Sequence, residues 1–137
     1  MYLLDTNVVS ELRKGKKANQ NVTKWVQPLP SASLYISVIS VLELEIGILF
    51  IERRDKDQAA ILRAWMDRHV LPTFSDRILA IDTSVAQRCA TLHVPNPRSD
   101  RDALIAATAL VHGLTVVTRN VADFERMEVS VLNPWET

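Results

Sequence analysis

Short apolar runs alternate along this chain with longer stretches in which apolar residues recur every three or four positions. The short runs are Tyr2–Leu4, Leu34–Ser37, Ile78–Ile81, Thr115–Thr118 and Val129–Leu132. They are largely unbroken rather than alternating, which is the pattern of strands covered on both faces. Helical spacing predicts Val8–Arg13, stopped near Gly15, and Asn21–Gln27, ended by Pro28 and Pro30. A long helix capped by Ser40 is expected to run to about Arg54. Asp57–His69 follows, with Ile61, Leu62, Trp65 and Met66 on one face. Thr83–Leu92 places Val85, Cys89 and Leu92 at helical spacing, Asp102–His112 stops at Gly113, and Val121–Met127 is a short final helix. Strands that alternate with helices predict an α/β fold of three layers, a mainly parallel sheet flanked by helices. No stretch reads as a linker, so residues 1–137 are expected to form one domain.

Four acidic residues stand against this pattern. Asp5 ends the run Met1–Leu4, Glu43 lies inside the apolar stretch Val38–Ile51, Asp102 opens Ala103–Val111, and Asp123 follows Leu114–Val117. An isolated buried carboxylate is costly, so such groups are usually paired or bound to a metal. In an open α/β sheet, ligands bind beyond the carboxyl ends of the strands. Asp5 lies past the end of the first strand, Asn120 and Asp123 past the fourth. Three of these acids also have an ordinary reading. Asp5 can cap a helix, and Asp102 and Asp123 can be first-turn acids favoured by the helix dipole. Glu43 is harder to dismiss, because Val41, Leu42, Leu44, Ile46 and Ile48 surround it. Ser40, Glu43 and Gly47 form a small or polar stripe on that helix, and Gly47 would admit a close approach. Glu45 is the control, an acid expected on an exposed edge of the same helix.

Carboxylates accompanied by Thr6, Asn7, Ser40 and Asn120 select oxygen-loving ions such as Mg²⁺ or Mn²⁺. The spacing of His69, His93 and His112 matches no zinc motif, and Cys89 is the only cysteine, so neither zinc nor a disulfide is expected. Carboxylate-held Mg²⁺ suits phosphodiester hydrolysis. There is no Gly-rich phosphate loop and no Gly-x-Ser-x-Gly, which argues against nucleotide-dependent transfer and serine-based catalysis. Hydrophobic residues make up 47% and charged residues 23%, as in soluble globular proteins. With a net charge of +0, a polyanion would have to be met by a local patch. Arg13, Lys14, Lys16, Lys17, Arg98, Arg101 and Arg119 flank the acids in sequence and supply candidates for one. Trp25, Trp65 and Trp135 read as packing residues rather than base-stacking platforms. No signal peptide or membrane span is read, so a cytoplasmic location is expected.

Four pieces together resemble the PIN domain: Leu3-Leu4-Asp5-Thr6-Asn7, Ile36-Ser37-Val38 through Glu43-Leu44 to Gly47-Ile48, Asp102-Ala103-Leu104-Ile105-Ala106-Ala107, and Val117-Thr118-Arg119-Asn120 to Asp123-Phe124. Their order and spacing resemble the VapC branch of toxin–antitoxin ribonucleases, nearest the FitB-like members, as does the closing Leu132-Asn133-Pro134-Trp135. The resemblance implies a PIN fold and Mg²⁺- or Mn²⁺-dependent endonucleolytic cleavage of RNA. It implies a cognate antitoxin partner, operator DNA reached only through that antitoxin, and a homodimer within a larger complex. Asp5, Glu43 and Asp102 match the three core acidic positions, and Asp123 a fourth, more variable one. Thr6, Ser40 and Asn120 would orient ligands or water. Asn120 stands where some relatives carry an acid, and Asp100 is a further acid offset from the motif. Two alternatives remain at this point: a PIN-like nuclease acting on DNA or in RNA processing, and a non-catalytic α/β interaction module.

Overall fold

A computed structural model describes residues 1–137. Five short strands, β1 (Tyr2–Leu4), β2 (Leu34–Ser37), β3 (Ile78–Leu79), β4 (Thr115–Val117) and β5 (Val131–Leu132), form one sheet in the order β3-β2-β1-β4-β5. Every pairing is parallel. The chain moves outward from β1 to β2 and β3, then returns to add β4 and β5 on the other side. The strand order therefore reverses beside β1, the kind of position where open α/β sheets hold their ligands.

Successive side chains on a strand point to opposite faces, so each strand feeds both cores. Leu4, Ile36 and Val117 enter one core with Val8, Leu44, Ile48, Leu62 and Met66. Those partners come from α1 (Thr6–Leu12), α3 (Val38–Glu52) and the helical segment that starts with α4 (Lys56–Trp65). Leu3 and Val116 point the other way, onto Ile105, Ala106 and Ala109 of α7 (Asp100–His112). Behind α7, Val85 and Cys89 of α6 (Thr83–Leu92) pack on Ala103 and Ala107. Small alanines on α7 let it lie close to both the sheet and α6.

Several element ends differ from the sequence reading. Ser37, not Ser40, caps α3, its hydroxyl accepting from the Ile39 N–H at 3.0 Å. Ser40 is instead fully buried inside the helix. α7 begins at Asp100, so Asp102 lies within its first turn. α4 does not end at His69 but continues through a π turn, Met66–Val70, into the short α5 (Leu71–Thr73). Pro72, which has no N–H to donate, stands where the π turn passes into that last piece. Residues Val121–Phe124 form a 3₁₀ turn that stops before Arg126 and Glu128, both with positive φ. Between α1 and β2 lies α2 (Gln20–Val26), whose Trp25 meets Tyr2 edge-on at 5.1 Å. Trp65 packs against the core, and Trp135 lies under the Arg119 guanidinium at 5.4 Å, so all three tryptophans pack as expected.

Candidate active site

Leu4 pairs with Val117, which places the residues that follow them side by side at the carboxyl edge of the sheet. Those residues are Asp5 and Thr118, and both are buried. The Asp5 main chain extends the ladder by donating to the Val117 carbonyl at 2.9 Å. Its side chain then turns to cap α1, accepting from the Thr6 N–H at 2.8 Å. The ordinary reading of Asp5 as a cap is therefore correct, and it coexists with a place in the site. The other Asp5 oxygen accepts from the Thr118 hydroxyl at 2.9 Å. Thr118 accepts in turn from the Asn120 N–H at 3.0 Å and the Asn7 amide at 3.1 Å, so its hydroxyl is fully used. Asn7 closes the ring by accepting from the Arg119 N–H at 3.2 Å. This network holds Asp5 in a single orientation.

Glu43 reaches the same place from α3. The Thr6 hydroxyl donates to Glu43 Oε1 at 2.7 Å and lies 3.1 Å from the buried Ser40 hydroxyl. One hydroxyl carries one proton, so with Thr6 committed to the carboxylate, Ser40 serves as the donor in the second contact. Asp102 arrives on the first turn of α7 and Asp123 on the 3₁₀ turn after β4. All four acids line one cleft of about 500 Å³ with Thr6, Asn7, Ser10, Ser99, Arg101 and Asn120, and no hydrophobic residue lines it. Asp100 is outside, exposed and 3.7 Å from His93. Glu45 is outside too, held by a two-pronged contact with Arg63 at 3.0 and 2.6 Å. Gly47 faces open solvent, and nothing in the chain comes within 4 Å of where its Cβ would stand, so the close approach read there is not made within the chain.

The electrostatics set Asp5 and Asp102 apart from ordinary surface charge. Burial pushes the Asp5 carboxyl from an ordinary 3.8 up to about 6, against hydrogen bonds from Thr118 and Thr6 that pull it down. The Glu43 and Asp102 charges add to the rise. Asp102 is also raised, first by burial and then by Asp123 and Glu43. Asp5 and Asp102 thus each feel neighbouring carboxylates, a condition that a bound cation relieves. As placed, no three of these acids close into a ready-made coordination cage. Like charges hold carboxylates apart unless a cation lies between them. The donor set is carboxylate, hydroxyl and amide oxygen with no His or Cys, which fits Mg²⁺ or Mn²⁺ and does not fit zinc.

Sequence reasoning assigns no site role to Thr118, Ser10 or Ser99. Thr118 stands in the sequence as a strand end and within the last PIN-like piece, with no role of its own, and the register Leu4–Val117 is the signal that sets it against Asp5. Arg101 was one of several flanking cations, yet it alone among them lines the cleft.

Comparison with known proteins shows the family and the fold. The family model described as PIN domain matches residues 2–129. The chain is 36% identical to the plasmid stability protein StbB of Pseudomonas syringae pv. tomato, over 99% of each chain. It is 36% identical to toxin FitB of Neisseria gonorrhoeae, over 98% of this chain and 99% of the toxin. Identity to VapC ribonuclease Y4jK of Sinorhizobium fredii is 33%, over 99% of each. The crystal structure of FitAcB from Neisseria gonorrhoeae superposes with a TM-score of 0.90 at 34% identity, covering 100% of both chains. A structure of FitAB bound to an IR36 DNA fragment gives 0.87 at 35% identity, over 98% of this chain and 96% of that one.

Proposed function

The chain belongs to the PIN-domain family, and on that premise we propose that it is a metal-dependent endoribonuclease, the toxin of a toxin–antitoxin pair. The observation that carries the chemistry is the one cleft that Asp5, Glu43, Asp102 and Asp123 all line, with no hydrophobic residue in its lining. These four residues would hold Mg²⁺ or Mn²⁺. Such an ion supplies positive charge beside a phosphate and acidifies water at neutral pH. The chain's own part is orientation. Thr118 and the Thr6 N–H aim Asp5, while the Thr6 hydroxyl, backed by Ser40, aims Glu43. Asn120 ties the loop after β4 to Thr118 through its N–H and presents its side chain to the cleft. Residues 1–137 act as one nuclease domain in this reading.

One similar structure is a toxin–antitoxin complex from Klebsiella pneumoniae, and FitAB is seen on a DNA fragment; the same assembly is proposed here: a cognate antitoxin, with operator DNA contacted through it. A homodimer within the larger complex and a cytoplasmic location belong to the same proposal. No helix is long and apolar enough to cross a membrane. A protein-contact surface is available on α3, where Leu42, Leu49 and Phe50 are exposed, Phe50 by 68%. In this reading they supply the apolar contacts for the antitoxin.

The test is cleavage of single-stranded RNA and matched DNA by the antitoxin-free protein. RNA is expected to be cut with Mg²⁺ or Mn²⁺ and spared with chelator or in Asp5→Asn. Cutting that persists in chelator overturns the metal assignment. A preference for DNA overturns the ribonuclease reading.

A further inference from the structure

Arg101 is the one cationic side chain that lines the carboxylate cleft. Its Nη1 lies 3.6 Å from Glu43 Oε2, beyond hydrogen-bond distance, and its side chain is half exposed. The second Arg–Glu contact on α3 is different: Arg63 grips both oxygens of Glu45 through its planar fork. The two pairs share the same chemistry, and only the one outside the cleft is closed. Glu43 Oε1 accepts from the Thr6 hydroxyl at 2.7 Å, and Arg101 approaches only the other oxygen, so no two-pronged contact is made. Asp100 and Asp102, the chain neighbours of Arg101, keep a positive charge near the mouth but offer it no hydrogen-bonded partner. The guanidinium therefore stands in the cleft with its five donors largely uncommitted.

We propose that Arg101 is a phosphate-binding side chain held in reserve: it rests against Glu43 as a counter-charge, and it turns to a substrate phosphate once Glu43 carries a divalent cation. The inference rests on the ribonuclease reading for the identity of the polyanion. Two physical points support it. A cation on Glu43 cancels the attraction that keeps Arg101 there and adds repulsion in its place. A phosphodiester offers two non-bridging oxygens that match the guanidinium fork. The same residue then relieves carboxylate repulsion before loading and positions the polyanion afterwards.

The experiment compares the wild-type chain with Arg101→Gln and Arg101→Lys, each checked for an unchanged melting temperature. Without RNA, Mn²⁺ binding is followed by electron paramagnetic resonance. Arg101→Gln is expected to bind Mn²⁺ several-fold more tightly, because a competing charge has left. With Mn²⁺ saturating, affinity for a labelled single-stranded RNA is measured across a salt series. It is read as KM while the RNA is cut, and as Kd by anisotropy if it is not. Arg101→Gln is expected to weaken RNA affinity about tenfold and to flatten the log–log salt slope by about 0.7, the value of one single-strand phosphate contact. Arg101→Lys is expected to keep the slope and recover part of the affinity. An unchanged slope in Arg101→Gln, or Mn²⁺ bound no more tightly, overturns the proposal. Failure of the ribonuclease reading shows separately, as intact RNA with every variant.

Discussion

Two buried acids at opposite ends of α1 have opposite electrostatics. Asp5, 7% exposed, caps the start of the helix, and Glu11, 8% exposed, lies near its end. Asp5 is pushed up to about 6, chiefly by burial, with Glu43 and Asp102 adding to the rise. Glu11 is held below its ordinary value by the Lys14 ammonium at 2.9 Å and then by the Asn19 N–H at 2.8 Å. Burial opposes its charge, but by less than these two bonds favour it. Every oxygen of Glu11 has a positive or N–H partner from its own chain. Asp5 has donors too, but its nearest charges are negative. One carboxylate is complete as it stands, whereas the other is set among charges that favour an added cation. Similar accessibility thus accompanies a structural acid at one end of a helix and a candidate functional acid at the other.

The comparison breaks most decisively at Asp5. Asp5→Asn keeps an oxygen for the cap and is expected to fold, yet to lose RNA cleavage by at least about a hundredfold, in line with the cost of disturbing a metal site. Glu11→Gln is expected to leave cleavage per folded molecule unchanged. Equal loss in both variants would erase the distinction.

Cation binding is the next largest effect. At about a hundred times its dissociation constant, Mg²⁺ or Mn²⁺ stabilises a protein by roughly 2.7 kcal/mol. The wild-type melting temperature is expected to rise with Mn²⁺ and fall back with chelator, and that of Asp5→Asn to stay nearly flat. A flat wild-type response would favour the non-catalytic interaction module.

Acidity separates the two acids in sign. The folded pKa of Asp5 is raised, so its contribution to stability is fully present below about pH 4 and is lost as pH rises through about 6. In chelated protein, Asp5→Asn is expected to remove this loss and gain up to about 3 kcal/mol at pH 7. Glu11 has a lowered folded pKa, so its contribution is present above the ordinary glutamate range and fades as pH falls through the folded value. Glu11→Gln is expected to cost about 1–2 kcal/mol near neutrality and less in acid, measured by urea unfolding across pH.

The smallest effect belongs to Glu45. Its contact with Arg63 is partly exposed, with side chains 32% and 38% accessible. Glu45→Ala is expected to cost no more than about 1 kcal/mol and to leave cleavage intact. Two residues earlier, Glu43→Ala is expected to abolish it. Comparable cleavage in the two alanine variants would show that position on α3 does not matter.

Much of this molecule was legible from residue order. The unbroken runs at Tyr2–Leu4 and Thr115–Thr118 announced a parallel sheet, and the helical spacings announced the layers on its faces. Asp5, Glu43, Asp102 and Asp123 could be singled out because a charge beside apolar neighbours conflicts with the local pattern. Ends were less legible: Ser37 and Ser40 are equally good caps by composition, and only the end of β2 decides which one starts α3.

Periodicity and residue chemistry determined which elements form and which acids stand out, because burial preferences act locally along the chain. Tertiary structure alone decided that Thr118 lies against Asp5, that Arg101 and not Arg119 lines the cleft, and that Glu43 and Glu45 take different partners. Those outcomes depend on strand register and helix packing, which join residues up to 113 positions apart. A carboxylate's pKa follows the charges that packing sets around it, and those charges lie far away in sequence.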